Sequence, residues 1–354
     1  MSGGGVSGYA AIHAKVRAMY SNLLSVSEMI ALADSPDFPA LIAALKRTGY
    51  GSYLNQVKDK DLTVQHALFQ IKRRLADAFN SVIQMTPGAA RPLLVQLFRY
   101  YEIGNLKAVL RGIVTGAEWD RIEAVLYPLG ERTVFTPQGM LESGNVAAAV
   151  ELLRGTSYYE TLSFAMRRYN AEQSLFPIEV ALDLAYWRGL WQESVQLAGQ
   201  DREQALRVVG SLVDMNNLMW AIRYRVFHHV SEEELINYTL PFGYHIRDED
   251  IRAIAAGAEI APIVRRLYPS ISDVDVMLED PRSGLPLLEL KLKRHVMERC
   301  MAAFVGNPFH VGVALAYLVL HDLEIQDLVV LMEAKASQLA DEQFRPYMIR
   351  EIPV

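Results

Sequence analysis

Glu102-Ile103-Gly104-Asn105-Leu106 is one of three copies of the same short phrase. Asp214-Met215-Asn216-Asn217-Leu218 and Glu324-Ile325-Gln326-Asp327-Leu328 repeat it as an acid, an apolar residue, a variable residue, Asn or Asp, then Leu. The copies stand 112 and 110 residues apart. A second phrase precedes each one: Asp37-Phe38 with Leu45, Asn145-Val146 with Leu153, and Glu259-Ile260 with Leu267. These lie 65, 69 and 65 residues upstream of the matching acid. Two landmarks in register across three copies make a tandem repeat, and self-similarity at a fixed period decides architecture before residue chemistry does. Tetratricopeptide arrays repeat at roughly 34 residues, so this longer unit is a different kind of module.

The repeated unit reads as helical throughout. Leu93, Leu94, Leu97, Phe98 and Tyr101 follow helical spacing, as do Leu288, Leu292, His295 and Val296. Strict alternation is confined to Val274, Val276 and Leu278, a stretch too short to found a sheet, and Asn-Gly and Asp-Gly hairpin signals are absent. Gly49-Tyr50-Gly51 closes a short helix. Gly112 and Gly116 are read as terminating the helix that carries the first phrase, and Pro281-Arg282-Ser283-Gly284 as separating two helices. Pro92, Pro137, Pro177 and Pro308 stand near helix starts, where a missing N–H costs little. The expected fold class is all-α. Its modules span 9–116, 117–228 and 229–340, with a flexible tail at 1–8 and a C-terminal tail at 341–354 that ends in extended form from Arg345 onward.

Composition bounds the function. The chain has 354 residues, of which 51% are apolar and 21% charged, so it can bury three packed modules and disorder is not expected. A net charge of −6 disfavours a general nucleic-acid binder, which needs a positive footprint. One cysteine, Cys300, excludes a disulfide framework and a thiolate metal cluster. The longest apolar run, Val311 to Leu320, is too short for a bilayer span of about 20 residues, so no direct bilayer insertion is expected. The N-terminus has no basic segment followed by an apolar core, and Asn237-Tyr238-Thr239 is read as a chance sequon.

Catalytic and metal patterns are missing. His228-His229 is the one histidine pair, and helix neighbours point about 100° apart. No HExxH motif or phosphate-cradling Gly-rich loop occurs. Asp273, Asp275, Glu279 and Asp280 are the densest acids; magnesium-dependent chemistry there is disfavoured, because carboxylates two apart diverge on a helix. No catalytic, cofactor or metal residue is expected. The candidate interface residues are the landmark polar groups Glu102, Asn105, Asp214, Asn217, Glu324 and Asp327. Asn is a poor helix-interior residue, so each needs a partner. One reading gives each amide a neighbouring loop to cap. The other lines a common surface with them around a shared axis. Arg111 and Arg223 recur downstream of the first two copies and Glu333 replaces them in the third, so that face is not electrically threefold. Lys291 and Arg294, on a basic helix from Pro286 to Arg299, are candidate partner-facing residues.

Further stretches carry a resemblance. They are Tyr9-Ala10-x-x-His13-Ala14-Lys15-Val16-Arg17-Ala18-Met19, Thr48-Gly49-Tyr50-Gly51, Tyr101 to Leu106, Val213 to Leu218, and Asn307-Pro308-Phe309-His310-Val311-Gly312-Val313-Ala314-Leu315-Ala316-Tyr317-Leu318. Over nearly its whole length the chain resembles the C subunit of the V/A-type rotary ATPases, whose eukaryotic counterpart is the d subunit. The Gly-rich start departs from that family. The resemblance implies three helical modules in a pseudo-threefold funnel with no active site. It implies one copy per complex, peripheral at the cytoplasmic face, joining the central-stalk shaft subunits to the membrane proteolipid ring. An all-helical scaffold unrelated to rotary machines is the alternative. Direction of operation and the choice of H⁺ or Na⁺ lie with other subunits.

Overall fold

The computed structural model describes residues 6–58, 62–228 and 230–353, and no β-strand occurs among them. The chain opens with α1 (Val6–Tyr20), which buries Tyr9, Ile12 and Val16. Residues 6–8 of the expected tail are therefore helical, and 1–5 lie outside the described residues. Three short helices follow, α2 (Val26–Ala33), α3 (Phe38–Leu45) and α4 (Gly51–Leu54). Two long ones come next, α5 (Val64–Met85) and α6 (Arg91–Thr115). The chain continues through α7 (Trp119–Glu123), α8 (Pro137–Leu141), α9 (Val146–Glu151), α10 (Tyr159–Glu172), α11 (Phe176–Gln196) and α12 (Gly199–Arg223). Then come α13 (Glu232–Asn237), α14 (Asp248–Ala255), α15 (Ile260–Leu267), α16 (Val274–Glu279), α17 (Pro281–Ala302) and α18 (Val311–Ala336). A last turn, α19 (Asp341–Phe344), leads into the C-terminal segment.

The upstream phrase is a helix start. Asp37 and Asn145 are extended at φ −152° and −151°, and each side-chain oxygen accepts the N–H three residues on, from Ala40 at 2.8 Å and Ala148 at 2.9 Å. That bond satisfies one of the orphan donors of a first turn. Glu259, one methylene longer, makes no such cap. The turn that follows also repeats. Thr48 and Thr156 donate to Leu45 O and Leu153 O at 2.7 Å, and each hydroxyl accepts the N–H of Tyr50 or Tyr158 at 3.3 Å.

Two glycines act differently from the sequence reading. Gly116 does end α6, at φ 65°. Gly112 stays inside the helix, where an added Cβ would sit 2.6 Å from Ile122 Cδ1. Gly284 lies within α17, with its missing Cβ 1.8 Å from the Met277 carbonyl oxygen. Both glycines permit close approach of neighbouring helices. The alternating stretch at 274–278 is the helix α16.

The long helices pack in sequence and then close. α5 lies on α6, α6 on α11, α11 on α12, α12 on α17, α17 on α18, and α18 returns to α5. α12 also meets α18 across the middle. α1 straps the junction: Tyr9 Oη donates to Asp201 Oδ2 at 2.8 Å, while Asp201 Oδ1 accepts Val311 N at 2.8 Å. The C-terminal segment is docked, with one 3₁₀ turn at Arg345–Tyr347 and Met348, Ile349 and Ile352 buried.

Candidate functional site

Each repeated acid sits near the middle of a long helix and is buried, at 2%, 0% and 2% exposure for Glu102, Asp214 and Glu324. A buried carboxylate needs donors for its lone pairs. Glu102 Oε1 accepts Val134 N at 2.7 Å, and Oε2 accepts the Tyr158 hydroxyl. Glu324 repeats this with Leu24 N on Oε2 and the Tyr50 hydroxyl on Oε1, both at 2.7 Å. Asp214 is shorter and takes three backbone donors instead, Tyr244 and His245 N at 2.8 and 2.7 Å and Ile246 N at 3.3 Å. Two acids thus hold the loop that follows them in sequence. The third reaches back 300 residues to Leu24, just after α1.

The fourth position of the phrase holds a second loop. Asn105 Nδ2 donates to Tyr127 O and its Oδ1 accepts Tyr127 N, both at 2.8 Å. Asn217 Nδ2 donates to Leu240 O and Phe242 O at 3.0 and 3.1 Å, and its Oδ1 accepts Leu240 N at 2.8 Å. Asp327 meets two N–H groups, Ile349 at 2.6 Å and Arg350 at 3.0 Å. An amide suits a loop offering both a donor and an acceptor; a carboxylate suits one offering two donors. The C-terminal segment therefore plays for α18 the part that internal loops play for α6 and α12.

Burial dominates the electrostatics. It raises Asp214, raises Asp327 to about 6 and raises Glu324 to about 7, against the opposing pull of their hydrogen bonds. Arg74 and Arg350 stand 3.9 and 3.6 Å from Glu324, and the Arg74 guanidinium lies 3.9 Å over the Tyr50 ring. The six predicted landmark residues all face loops. The variable residue between them, Gly104, Asn216 and Gln326, faces the other way and lines a cavity of about 530 Å³. α6, α11, α12, α17 and α18 wall it. Its charged groups include Lys107 paired with Asp183, and Glu289 paired with both Arg223 and Lys293.

The family model described as ATP synthase (C/AC39) subunit matches residues 12–347. This chain belongs to the C/AC39 subunit family. It is similar to the C subunit of the A-type ATP synthase of Methanocaldococcus jannaschii, at 25% identity over 96% of this chain and 86% of that protein. The A-type C subunit of Methanococcoides burtonii is 24% identical, covering 98% and 95%, and that of Haloferax volcanii is 23% identical, covering 96% and 97%.

The remaining expected residues of this C/AC39 chain have internal partners. Lys291 Nζ donates to both oxygens of Asp273 at 2.7 and 3.0 Å. Arg294 clasps the C-terminal segment, donating to Met348 O, Ile349 O and Glu351 at 2.9, 3.0 and 2.6 Å. Asp275 pairs with Arg265, and Asp280 caps α17. No cluster of three metal-ligating side chains occurs among the described residues. His229 lies outside them. Among the described residues no helix is long and apolar enough to cross a membrane. Sequence patterning does not single out Asp322, Tyr100, Tyr127 or Tyr186, and it gives Tyr50 and Tyr158 no bond. The one available signal is the recurrence of tyrosine thirteen residues after Asp37 and Asn145.

Proposed function

We propose that this chain is the non-catalytic rotor adaptor of a V/A-type ATPase, a socket joining the central shaft to the membrane proteolipid ring. The observation that carries the reading is the closed circuit of long helices, with Glu324 bonding back to Leu24 and Tyr50 and a cavity inside it. Three helical units set round a pseudo-threefold axis form a funnel whose mouth accepts the foot of the shaft. Membership of the C/AC39 family and the near full-length similarity to C subunits of A-type ATP synthases support it.

Torque transfer needs a body that does not shear. Close-packed helices have low compressibility, and each landmark carboxylate or amide ties a loop to a helix at a buried point. The contact with the proteolipid ring is broad and made of modest polar pairs, because a three-unit body cannot match the ring protomer by protomer. The chain sits peripherally at the cytoplasmic face, one copy per complex, held by protein contacts. Co-purification tests the reading. The isolated chain is expected to retain both the central-stalk subunits and the detergent-solubilised proteolipid ring. Loss of either partner under conditions where the chain is folded removes the proposal.

A further inference from the structure

Asp322 lines the cavity two residues before Glu324. Tyr101 Oη donates to its Oδ1 at 2.9 Å and Gln326 Nε2 to its Oδ2 at 2.8 Å. An ionised carboxylate offers about four acceptor sites, so half of its capacity is unused. The other lining acids are neutralised, Asp183 by Lys107 and Glu289 by Arg223 and Lys293. Among the described residues no cation reaches ion-pair distance of Asp322. Burial raises its carboxyl group, against the pull of the Tyr101 and Gln326 bonds and of Lys293 from beyond ion-pair distance. Its charge is felt by the hydroxyls of Tyr100, Tyr127 and Tyr186. These rings touch one another, Tyr100 with Tyr101 and with Tyr186 at 5.5 Å, Tyr101 with Tyr127 at 4.8 Å. Tyr100 remains 50% exposed.

A carboxylate among aromatic rings is the chemistry that recognises an ammonium or guanidinium group, through ion pairing and the negative ring faces together. Asn216 lines the same cavity, and its Nδ2 is buried without an acceptor. The C-terminal end of a helix supplies free carbonyls and favours basic residues in its last turn. One turn of helix, about 11 Å across and 5.4 Å long, fills roughly 500 Å³. The cavity, about 530 Å³, has room for such a turn.

We propose that Asp322 and its surrounding tyrosines receive a lysine or arginine carried on the last turn of a helix at the foot of the shaft. The inference rests on the socket reading and names the chemistry of its occupant. The test measures binding of the full chain to the purified central-stalk subunits. Asp322→Asn is expected to weaken binding about tenfold, the loss of one charge-assisted contact, with Asp322→Glu restoring most of it. Each basic residue of the foot is then changed to Ala in both backgrounds. One of them is expected to lose affinity with wild-type chain and to lose almost none with Asp322→Asn. Unchanged affinity of a folded Asp322→Asn overturns the inference and leaves the socket standing. Failure of the wild-type chain to bind any shaft subunit overturns the socket reading itself. Should Asp322→Asn lose its helical circular dichroism, Tyr100→Leu asks the same question from a half-exposed ring, and unchanged binding there has the same meaning.

Discussion

Glu324 is where a single proton is linked to the closure of the fold. Its carboxyl group stands at about 7 because burial outweighs the bonds from Tyr50 and Leu24 and the nearby Arg350 and Arg74. An unfolded glutamate titrates near 4.3. The folded state therefore holds this proton more tightly than the unfolded chain does. The stabilisation from that difference is complete below about pH 4.3 and disappears as pH rises through about 7. A gap of two to three pKa units corresponds to roughly 3 kcal/mol between pH 8 and pH 5. Asp327, raised to about 6, adds a contribution of the same sign. Glu324→Gln keeps the side-chain shape and cannot titrate. Urea unfolding of the wild-type chain at pH 5 and pH 8 is expected to differ by more than that of Glu324→Gln. The margin should be up to about 3 kcal/mol. Equal pH dependence in the two proteins would show that Glu324 is not the titrating group.

At the scale of a helix, glycine separates what the sequence makes legible from what it does not. The three phrases at 102, 214 and 324 disclose the repeat, and the spacing of Leu93, Leu97 and Tyr101 discloses the helix. The Asn or Asp in each phrase announces a need for a partner. None of this tells whether a glycine ends a helix or admits a neighbour. Gly116 ends one, whereas Gly112 and Gly284 lie inside helices that pack too closely for a Cβ. The carboxylate partners are hidden for a related reason, since Leu24 and Tyr50 lie 300 and 274 residues from Glu324 and no local pattern links them. Asp322 lies just past the apolar run from Val311 to Leu320, and its importance depends on which helices surround it. Two substitutions make the distinction measurable. An added Cβ at Gly284 meets the Met277 backbone, and Gly284→Ala is expected to cost about 1–3 kcal/mol by overpacking. Gly104 sits in mid-helix with nothing within 4 Å of an added Cβ. Gly104→Ala is expected to raise stability by up to about 1 kcal/mol, the helix-propensity difference. Because Gly104 also lines the cavity, the same variant should bind the central-stalk subunits no better than wild type. Thermal melts of the pair settle the sign, and a stabilised Gly284→Ala would refute the close-approach account.

Among the described residues the circuit of long helices runs through the α6–α11, α12–α17 and α18–α5 seams, and they are not equally fastened. α6 meets α11 through Arg111–Glu179 and Lys107–Asp183, and α12 meets α17 through Arg223–Glu289. Glu333 replaces the arginine on α18, and Phe69 stands 110 residues before Glu179, as Glu179 stands 110 before Glu289. The α18–α5 seam thus lacks that pair. Its ion contact among the described residues is Arg74 with Glu324 at 3.9 Å. Closure falls instead to the chain's two ends. α1 packs on α18, Arg350 donates to Leu24 O, and Arg345 bonds Asp34 at 2.7 Å. Exposed ion pairs are worth at most about 1 kcal/mol each, so their absence alone does not open the seam. Removing the C-terminal segment is a larger change, because it strips Asp327 of both donors and takes Arg350 from Glu324. Leaving a buried carboxylate without partners costs roughly 3–5 kcal/mol. Hydrogen exchange on the full chain is expected to find the amides of α5 less protected than those of α11 and α17. A chain ending at Tyr347 should lose protection first in the segment from Leu24 to Ala33 and in α5, with α12 and α17 affected least. Protection lost uniformly, or first at the α6–α11 seam, would mean that the ends of the chain do not hold the circuit closed.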